Sequence, residues 1–203
     1  MHTNTNTDII LTQETLYDYL LVINPDGQIA ADVKKFKQQI ANELGPYNSL
    51  YSPAHISLFR SEFPERFQDD FVTVLEMIAL KQGPFAVYTA RFDHFNHGDT
   101  KRTIYVNVAN PKPLAELHKK ILQAFELKPH AFKPHITLAR AISTPEFEKV
   151  YQRFDNQLFV RSFNCKSFRL LRRPASGGKY ELVREFLFGD MEHIEGSLFN
   201  HAA

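Results

Sequence analysis

The sequence is short of the residues that several classes of protein require. Its 203 residues contain one cysteine, Cys165, and no tryptophan. A single cysteine excludes an internal disulfide and a multi-thiolate metal site, and in a strand-like run we expect it to be a small packing residue. The formal net charge is only +1. The chain is therefore not a broadly basic protein that binds long nucleic acids by counterion release.

Long hydrophobic runs are also absent. No apolar stretch has the length that a bilayer span needs, and residues 1–7 are polar and lack the apolar segment of a signal peptide. We therefore expect a cytoplasmic protein with no membrane contact, and no obligate protein partner is evident. We further predict one domain over residues 1–203, with a flexible leader at residues 1–13.

What the sequence does contain is a short stretch that occurs twice. Residues 54–60 read Ala-His-Ile-Ser-Leu-Phe-Arg, and residues 134–140 read Pro-His-Ile-Thr-Leu-Ala-Arg. Both copies have the composition of a strand, in which residues two apart point to the same face. Each copy is therefore expected to present its histidine and its hydroxyl residue together, and to bury its isoleucine and leucine.

The order of elements around the two motifs repeats as well. The spacing of hydrophobic residues, together with Gly-Pro and Asn-Pro pairs that end helices and strands, predicts the order strand, helix, motif strand, helix, strand, and then the same order again. The pseudo-repeats cover about residues 15–95 and 101–188. At the end of the second repeat we predict one long strand over 159–171, a loop over 172–179 and a returning strand. Two similar lobes would place the motif strands on either side of a groove.

A groove lined by two imidazoles and two hydroxyls suits the chemistry of phosphodiesters. Cleavage by water needs a base for the nucleophile and an acid for the leaving oxygen, and histidine can serve as either. The hydroxyls of Ser57 and Thr137 could donate hydrogen bonds to the phosphoryl oxygens. The sequence offers no carboxylate cluster that would hold a metal ion. We therefore interpret His55 and His135 as a general acid–base pair.

The two His-x-(Ser/Thr)-Leu motifs, about eighty residues apart in a duplicated strand–helix frame, resemble the 2H phosphoesterase superfamily. This superfamily includes bacterial 2′-5′ RNA ligases and cyclic phosphodiesterases. The resemblance implies a bilobal α+β fold, in which two antiparallel sheets flank a central groove with helices on the outside. It also implies chemistry without metal or cofactor on 2′,3′-cyclic phosphates or 2′-5′ linkages. RNA ends or small nucleotides would be the partners, and His55, His135, Ser57 and Thr137 the catalytic residues.

Residues close to the motifs are candidates for binding the substrate. Lys133 has the same strand parity as His135 and is a candidate phosphate neighbour. Tyr51 and Phe132 could stack a base, although packing is an equally good interpretation of both. Arg140 follows its motif at the strand end, where parity points it away from the groove unless the strand stops there.

Other basic and histidine residues allow several interpretations. The parity argument applies equally to Arg60, the counterpart of Arg140. Arg172 and Arg173 could reach a second phosphate, but a solvated charge pair is the simpler interpretation. The pair His94 and His97 lacks a nearby third ligand, which disfavours a metal site. The alternative to an enzyme is a non-catalytic module of the same fold that binds RNA ends or nucleotides.

Overall fold

The computed structural model describes residues 14–189. The predicted leader at residues 1–13 and the chain from residue 190 onward lie outside the described residues. Within the described range no helix is both long and apolar enough to cross a membrane. The strands and α-helices follow in this order: β1 Leu16–Ile23, α1 Gly27–Leu44, β2 Ile56–Pro64, α2 Gln68–Leu80, β3 Phe85–His97, β4 Lys101–Val108, α3 Lys112–Ala124, β5 His135–Ser143, α4 Thr144–Tyr151, β6 Leu158–Cys165, β7 Ser167–Pro174 and β8 Glu181–Leu187.

The strands form two four-stranded antiparallel sheets. One has the order β2-β1-β7-β8 and the other β5-β4-β3-β6. The predicted α+β fold with two antiparallel sheets is therefore confirmed. The motif strands β2 and β5 are each the edge strand of their own sheet, and they contact one another. The duplicated order of elements thus brings the two motifs to the junction between the sheets.

The helices begin where local sequence satisfies their first free amide groups. In α1 the Asp26 carboxylate accepts a hydrogen bond from the Ile29 amide at 2.9 Å. In α4 Ser143 and Glu146 form a capping box, in which each side chain bonds the backbone amide of the other residue. Helix α1 contacts β5 and α4, whereas α3 contacts β2 and α2. Each of these two helices therefore packs against the motif strand of the other half, which interlocks the halves.

The final strands differ from the prediction. The single strand expected over residues 159–171 is two strands, β6 and β7, which lie in different sheets. The buried residues change phase at the break, from Phe163 and Cys165 to Phe168 and Leu170. A one-residue change of phase turns the buried face over, and here it marks the crossing between sheets. Burial raises the pKa of the Cys165 thiol to about 12, in keeping with a packing residue.

A buried carboxylate joins three strand segments of the first sheet. Asp18 of β1 is 1% exposed and accepts hydrogen bonds from Arg60, Arg173 and the Tyr180 hydroxyl. Burial by itself would raise the pKa of Asp18, but the hydrogen bonds from these groups outweigh it and lower the pKa to about 2. Because the folded state binds the proton less well than the unfolded chain does, ionised Asp18 stabilises the fold.

This stabilisation has a defined pH range. It is fully present above about pH 4, the unfolded pKa of aspartate, and is lost as the pH falls through about 2. We expect Asp18→Asn to lower the free energy of unfolding by about 2 kcal/mol or more at pH 6, and by much less at pH 2.5. Urea unfolding at both pH values measures the difference. Asp70→Asn, an exposed control on α2, should change stability by less than about 0.5 kcal/mol. An equal loss for Asp18→Asn at both pH values would contradict the assignment.

Candidate active site

The two motif histidines are held in the same way. His55 lies directly before β2, and His135 is the first residue of β5. The Nδ1 atom of each lies 2.8 Å from the carbonyl oxygen two residues earlier, that of Pro53 or Lys133. A carbonyl oxygen only accepts hydrogen bonds, so Nδ1 carries the hydrogen in both rings. In the neutral imidazoles Nε2 is therefore the nitrogen free to take up a proton.

Burial is the main influence on the charge of both imidazoles. It lowers the pKa of His55 and of His135, and the hydrogen bond to the backbone only partly opposes it. The charges of Lys37 and Arg140 further lower the pKa of His55. Those of His55, Lys133 and Arg140 do the same for the pKa of His135. The charge of His55 therefore acts on the imidazole of His135.

The two motifs contribute to one open cleft of about 430 Å³. Ser57 comes from the first motif and His135 from the second, and Thr137 lies on the same face of β5 as His135. Of the four motif residues, Ser57 and His135 line the cleft, whereas His55 and Thr137 are not among its lining residues. His55 is connected to His135 by the effect of its charge on the pKa of His135. The residues that line the cleft are Ser57, Phe95, Ala131, Phe132, Lys133 and His135.

Each motif strand carries a β-bulge at the same motif position. The pairing register shifts by one residue between Ser57 and Phe59 on β2, and between Thr137 and Ala139 on β5. In both cases the extra residue is the motif leucine, which stays buried. A bulge reverses the alternation of the residues that follow it. After the bulges, Arg60 and Arg140 no longer follow the simple parity on which the expectation rested that both point away from the groove.

Hydrogen bonds hold the backbone around Arg140 in place. Beyond the first bulge, Ala141 adopts a positive φ of 51°, and its amide donates to the Thr103 hydroxyl at 2.9 Å. The Arg140 amide donates to the Ser49 hydroxyl at 2.9 Å. The side chain of Arg140 is exposed, and its positive charge acts on both imidazoles. This position suits an anionic substrate, and its role as a substrate-binding residue stays a prediction.

Lys133 lies in the wall of the cleft and is fixed by groups that the sequence did not identify. Its Nζ atom donates to Asp93 at 3.1 Å and to the Tyr105 hydroxyl, and it lies 5.2 Å from the centre of the Phe95 ring. Phe95 and Tyr105 also pack against the His135 ring, with centroids 4.9 and 5.1 Å away. Lys133 therefore presents a positioned charge beside His135.

The two candidates for base stacking lie in different surroundings. Phe132 lines the cleft, and one face of its ring stacks on His118 at 4.2 Å between centroids. His118 itself is buried within α3, at 4% exposure. Tyr51 is 85% exposed in the turn before the first motif. Stacking on a base stays a prediction for both residues.

The segment that carries His55 is fastened to the strand that carries His135. Lys37 of α1 is 3% exposed, and its Nζ atom donates to the carbonyls of Ser49 and Ser52 at 2.8 and 2.7 Å. The hydroxyls of Tyr47 and Ser49 donate to the Leu138 carbonyl on β5 at 3.2 and 3.1 Å. Lys37 is thus a positioning residue for the relative placement of the two imidazoles.

The histidines outside the motifs form no metal centre in the described part of the chain. Among residues 14–189 no three His, Cys, Asp or Glu side chains are grouped so as to hold a metal ion. His97 instead bonds the Thr103 hydroxyl at 2.8 Å, and His94 packs against Phe147 and Tyr151.

The two antiparallel sheets meet at edge strands that each carry one motif, with a histidine and a hydroxyl residue. This arrangement is that of a two-histidine α+β protein. The family model of the 2′-5′ RNA ligase superfamily matches residues 25–177, and the chain belongs to this family. The resemblance to 2H phosphoesterases that the motifs indicate is thereby confirmed.

Several proteins of this family are similar to the chain over most of its length. A protein of Oceanobacillus iheyensis, named "Putative phosphoesterase OB1230", is 30% identical over 149 residues, which cover 70% of this chain and 86% of the relative. A protein of Geobacillus kaustophilus, also named as a putative phosphoesterase, is 26% identical over 181 residues and covers 87% of this chain and 99% of the relative.

Solved structures share the fold at lower identity. TT0787 of Thermus thermophilus is 19% identical with a TM-score of 0.60, and the match covers 85% of this chain and 98% of that one. E. coli LigT complexed with 3′-AMP is 13% identical with a TM-score of 0.62, and the match covers 86% of this chain and 98% of that one. At these identities the structural likeness concerns the fold alone.

Proposed function

We propose that the protein is a metal-independent phosphoesterase that hydrolyses 2′,3′-cyclic phosphates, or 2′-5′ phosphodiesters, of RNA ends or nucleotides. The observation that carries the proposal is the matched pair of His55 and His135. Both rings donate from Nδ1 to a backbone carbonyl, and their charges interact. Two imidazoles with the same free nitrogen are what concerted acid–base catalysis on one phosphate needs.

The reaction follows from the placement of these groups. One Nε2 takes a proton from water as the water oxygen bonds to phosphorus. The bond from phosphorus to a ribose oxygen breaks, and the other imidazole, protonated beforehand, gives its proton to that oxygen. The products are a phosphate monoester and a free hydroxyl. In reverse the two imidazoles exchange roles: the free hydroxyl loses its proton and bonds to the phosphorus of the monoester, one phosphate oxygen leaves as water after taking up a proton, and a phosphodiester is formed again.

Charged and hydroxyl groups around the imidazoles would stabilise the phosphate during this step. Ser57 and Thr137 would donate hydrogen bonds to its non-bridging oxygens, where negative charge grows. Lys133 and Arg140 supply positive charge on the same side, and a bound anion raises the pKa of a neighbouring imidazole. Substrate binding would therefore favour protonation of the imidazole that acts as the acid, which burial disfavours in the free protein.

Phosphorus NMR tests the proposal directly. We expect a 2′,3′-cyclic nucleotide to be converted to a monoester in the presence of excess EDTA, at the rate seen with added Mg²⁺. The same assay applied to 2′-5′ dinucleotides and to RNA with a cyclic end would identify the preferred substrate. Turnover that requires a divalent cation would refute the metal-independent mechanism. No turnover of any member of the panel, together with tight binding of RNA ends, would establish the non-catalytic module instead.

A further inference from the structure

A second cavity, of about 450 Å³, lies beside the histidine cleft. We call it the Arg60 pocket; Arg60, Lys128 and His130 line it together with the apolar Phe59, Leu122 and Leu127. The two cavities share both walls. On strand β2, Ser57 lines the cleft and Arg60 lines the pocket. In the segment 127–133, His130 lines the pocket, and Ala131, Phe132 and Lys133 line the cleft.

Arg60 is held in position with part of its guanidinium free. Its Nε and Nη2 atoms donate to the two carboxylate oxygens of Asp18 at 2.8 and 2.7 Å. Nη1 has no hydrogen-bond partner among the described residues, and 44% of the side chain is exposed. Asp18 also pairs with Arg173, so one carboxylate faces two guanidiniums. Arg60 therefore keeps both a free donor edge and an uncompensated share of positive charge.

The rest of the pocket lining fits a phosphate and an attached base. Lys128 and His130 are exposed basic residues, and no carboxylate is among the side chains that line the pocket in the described part of the chain. Glu62, the next acidic residue on β2, acts on Arg60 from outside the pocket. Phe59 and Leu127 add an apolar surface against which a base could pack.

The Arg60 pocket is distinct from the cleft in which the proposed reaction takes place, because the two cavities share no lining residue. Two residues, Leu58 and Phe59, lie between Ser57 and Arg60, and because Leu58 is bulged the two positions are only two β1 residues apart, roughly 7 Å. A group in the Arg60 pocket therefore lies next to, but outside, the cleft. We propose that the Arg60 pocket binds a second phosphate of a single-stranded oligonucleotide whose terminal phosphate lies between His55 and His135. The inference rests on the proposed function and makes oligonucleotide ends, rather than free nucleotides, the preferred substrate.

Relative rates on a short and a long substrate test this preference. We expect kcat/KM for a trinucleotide with a 2′,3′-cyclic end to exceed that for the matching cyclic mononucleotide by about tenfold or more. Lys128→Gln should reduce this ratio about fivefold. Arg60→Lys should also reduce it, because a lysine ammonium lacks the planar guanidinium that can bind Asp18 and a phosphate at the same time. Lys112→Gln, at the exposed start of α3, should leave the ratio unchanged. Equal kcat/KM for both substrates would overturn the proposal.

A binding measurement separates the pocket from the proposed reaction. In the His55→Ala protein, calorimetry should show that a trinucleotide 3′-phosphate binds at least about tenfold more tightly than a nucleoside 3′-phosphate. When the logarithm of the binding constant for the trinucleotide is plotted against the logarithm of the salt concentration, Lys128→Gln should make the slope less steep by about one. If the wild-type protein hydrolyses neither cyclic phosphates nor 2′-5′ linkages but this binding preference is found in the variant, the pocket is supported and the proposed function is wrong. Equal affinities, or an equal loss in Lys112→Gln, would overturn the pocket.

Discussion

Replacing either motif histidine with alanine is expected to lower kcat on a 2′,3′-cyclic nucleotide by about 10²- to 10⁴-fold. His55→Ala removes one proton-transfer group and His135→Ala the other, and each leaves the reaction without its base or its acid. The two groups act as a unit, so the double variant should be little worse than either single one. Initial rates measured alongside thermal unfolding would separate lost chemistry from lost folding.

Asparagine at the same positions provides a sharper control. Its side-chain amide can occupy the place of Nδ1 and still donate to the carbonyl of Pro53 or Lys133, but it cannot transfer a proton. We expect His55→Asn and His135→Asn to fold normally and to be as inactive as the alanine variants. Activity above about a tenth of wild type in either asparagine variant would contradict acid–base catalysis and leave the histidine with a structural role only.

The placement of each motif histidine beside its hydroxyl residue could be predicted because it depends on local alternation. His55 and Ser57, like His135 and Thr137, lie before the bulges, where the two-residue period of a strand still holds. The α+β fold class was implied by the resemblance of the two motifs to those of 2H phosphoesterases, and the repeated order of elements predicted two similar halves.

The direction of Arg140 could not be predicted on the same grounds. It depends on bulges whose extra residue is an ordinary leucine and on a positive φ at Ala141, a conformation for which glycine is the usual signal. Asp93 and Tyr105 were missed for another reason. Only the register across β3, β4 and β5 places Asp93 beside Tyr105 and Tyr105 beside Thr137, and sequence alone does not fix a register between distant strands.

Two other features did leave a signal in the sequence. The phase change between Cys165 and Phe168 marks the end of β6 and the start of β7. Lys37 follows Val33 by four residues and precedes Ile40 by three, so it lies on the buried face of α1. A lysine in an apolar stripe is rarely buried without partners. The position of Lys37 therefore indicated that α1 forms hydrogen bonds with a neighbouring polar segment.

Lys37→Met should accordingly impair catalysis from outside the cleft. It removes both hydrogen bonds to the carbonyls of Ser49 and Ser52, and buried carbonyls without donors cost roughly 1–3 kcal/mol each. We expect the free energy of unfolding to fall by about 2–4 kcal/mol and kcat/KM to fall by about tenfold or more, because His55 is no longer held against β5. Lys35→Met, on the exposed side of α1, should change neither. Wild-type rates and stability in Lys37→Met would contradict this positioning role.

The pH profile of the same variant would assign the two catalytic roles. Burial lowers the pKa of Lys37 only to about 8, so it is mostly charged at neutral pH, and this charge lowers the pKa of His55. Methionine removes the charge, so the pKa of His55 should rise, while that of His135, which other charges lower, should move less. In a profile of kcat/KM the acidic limb reports the base and the alkaline limb the acid. A shift of the acidic limb to higher pH would identify His55 as the base that activates water in hydrolysis. A shift of the alkaline limb would make it the acid, and unchanged limbs would show that Lys37 acts on His55 through position alone.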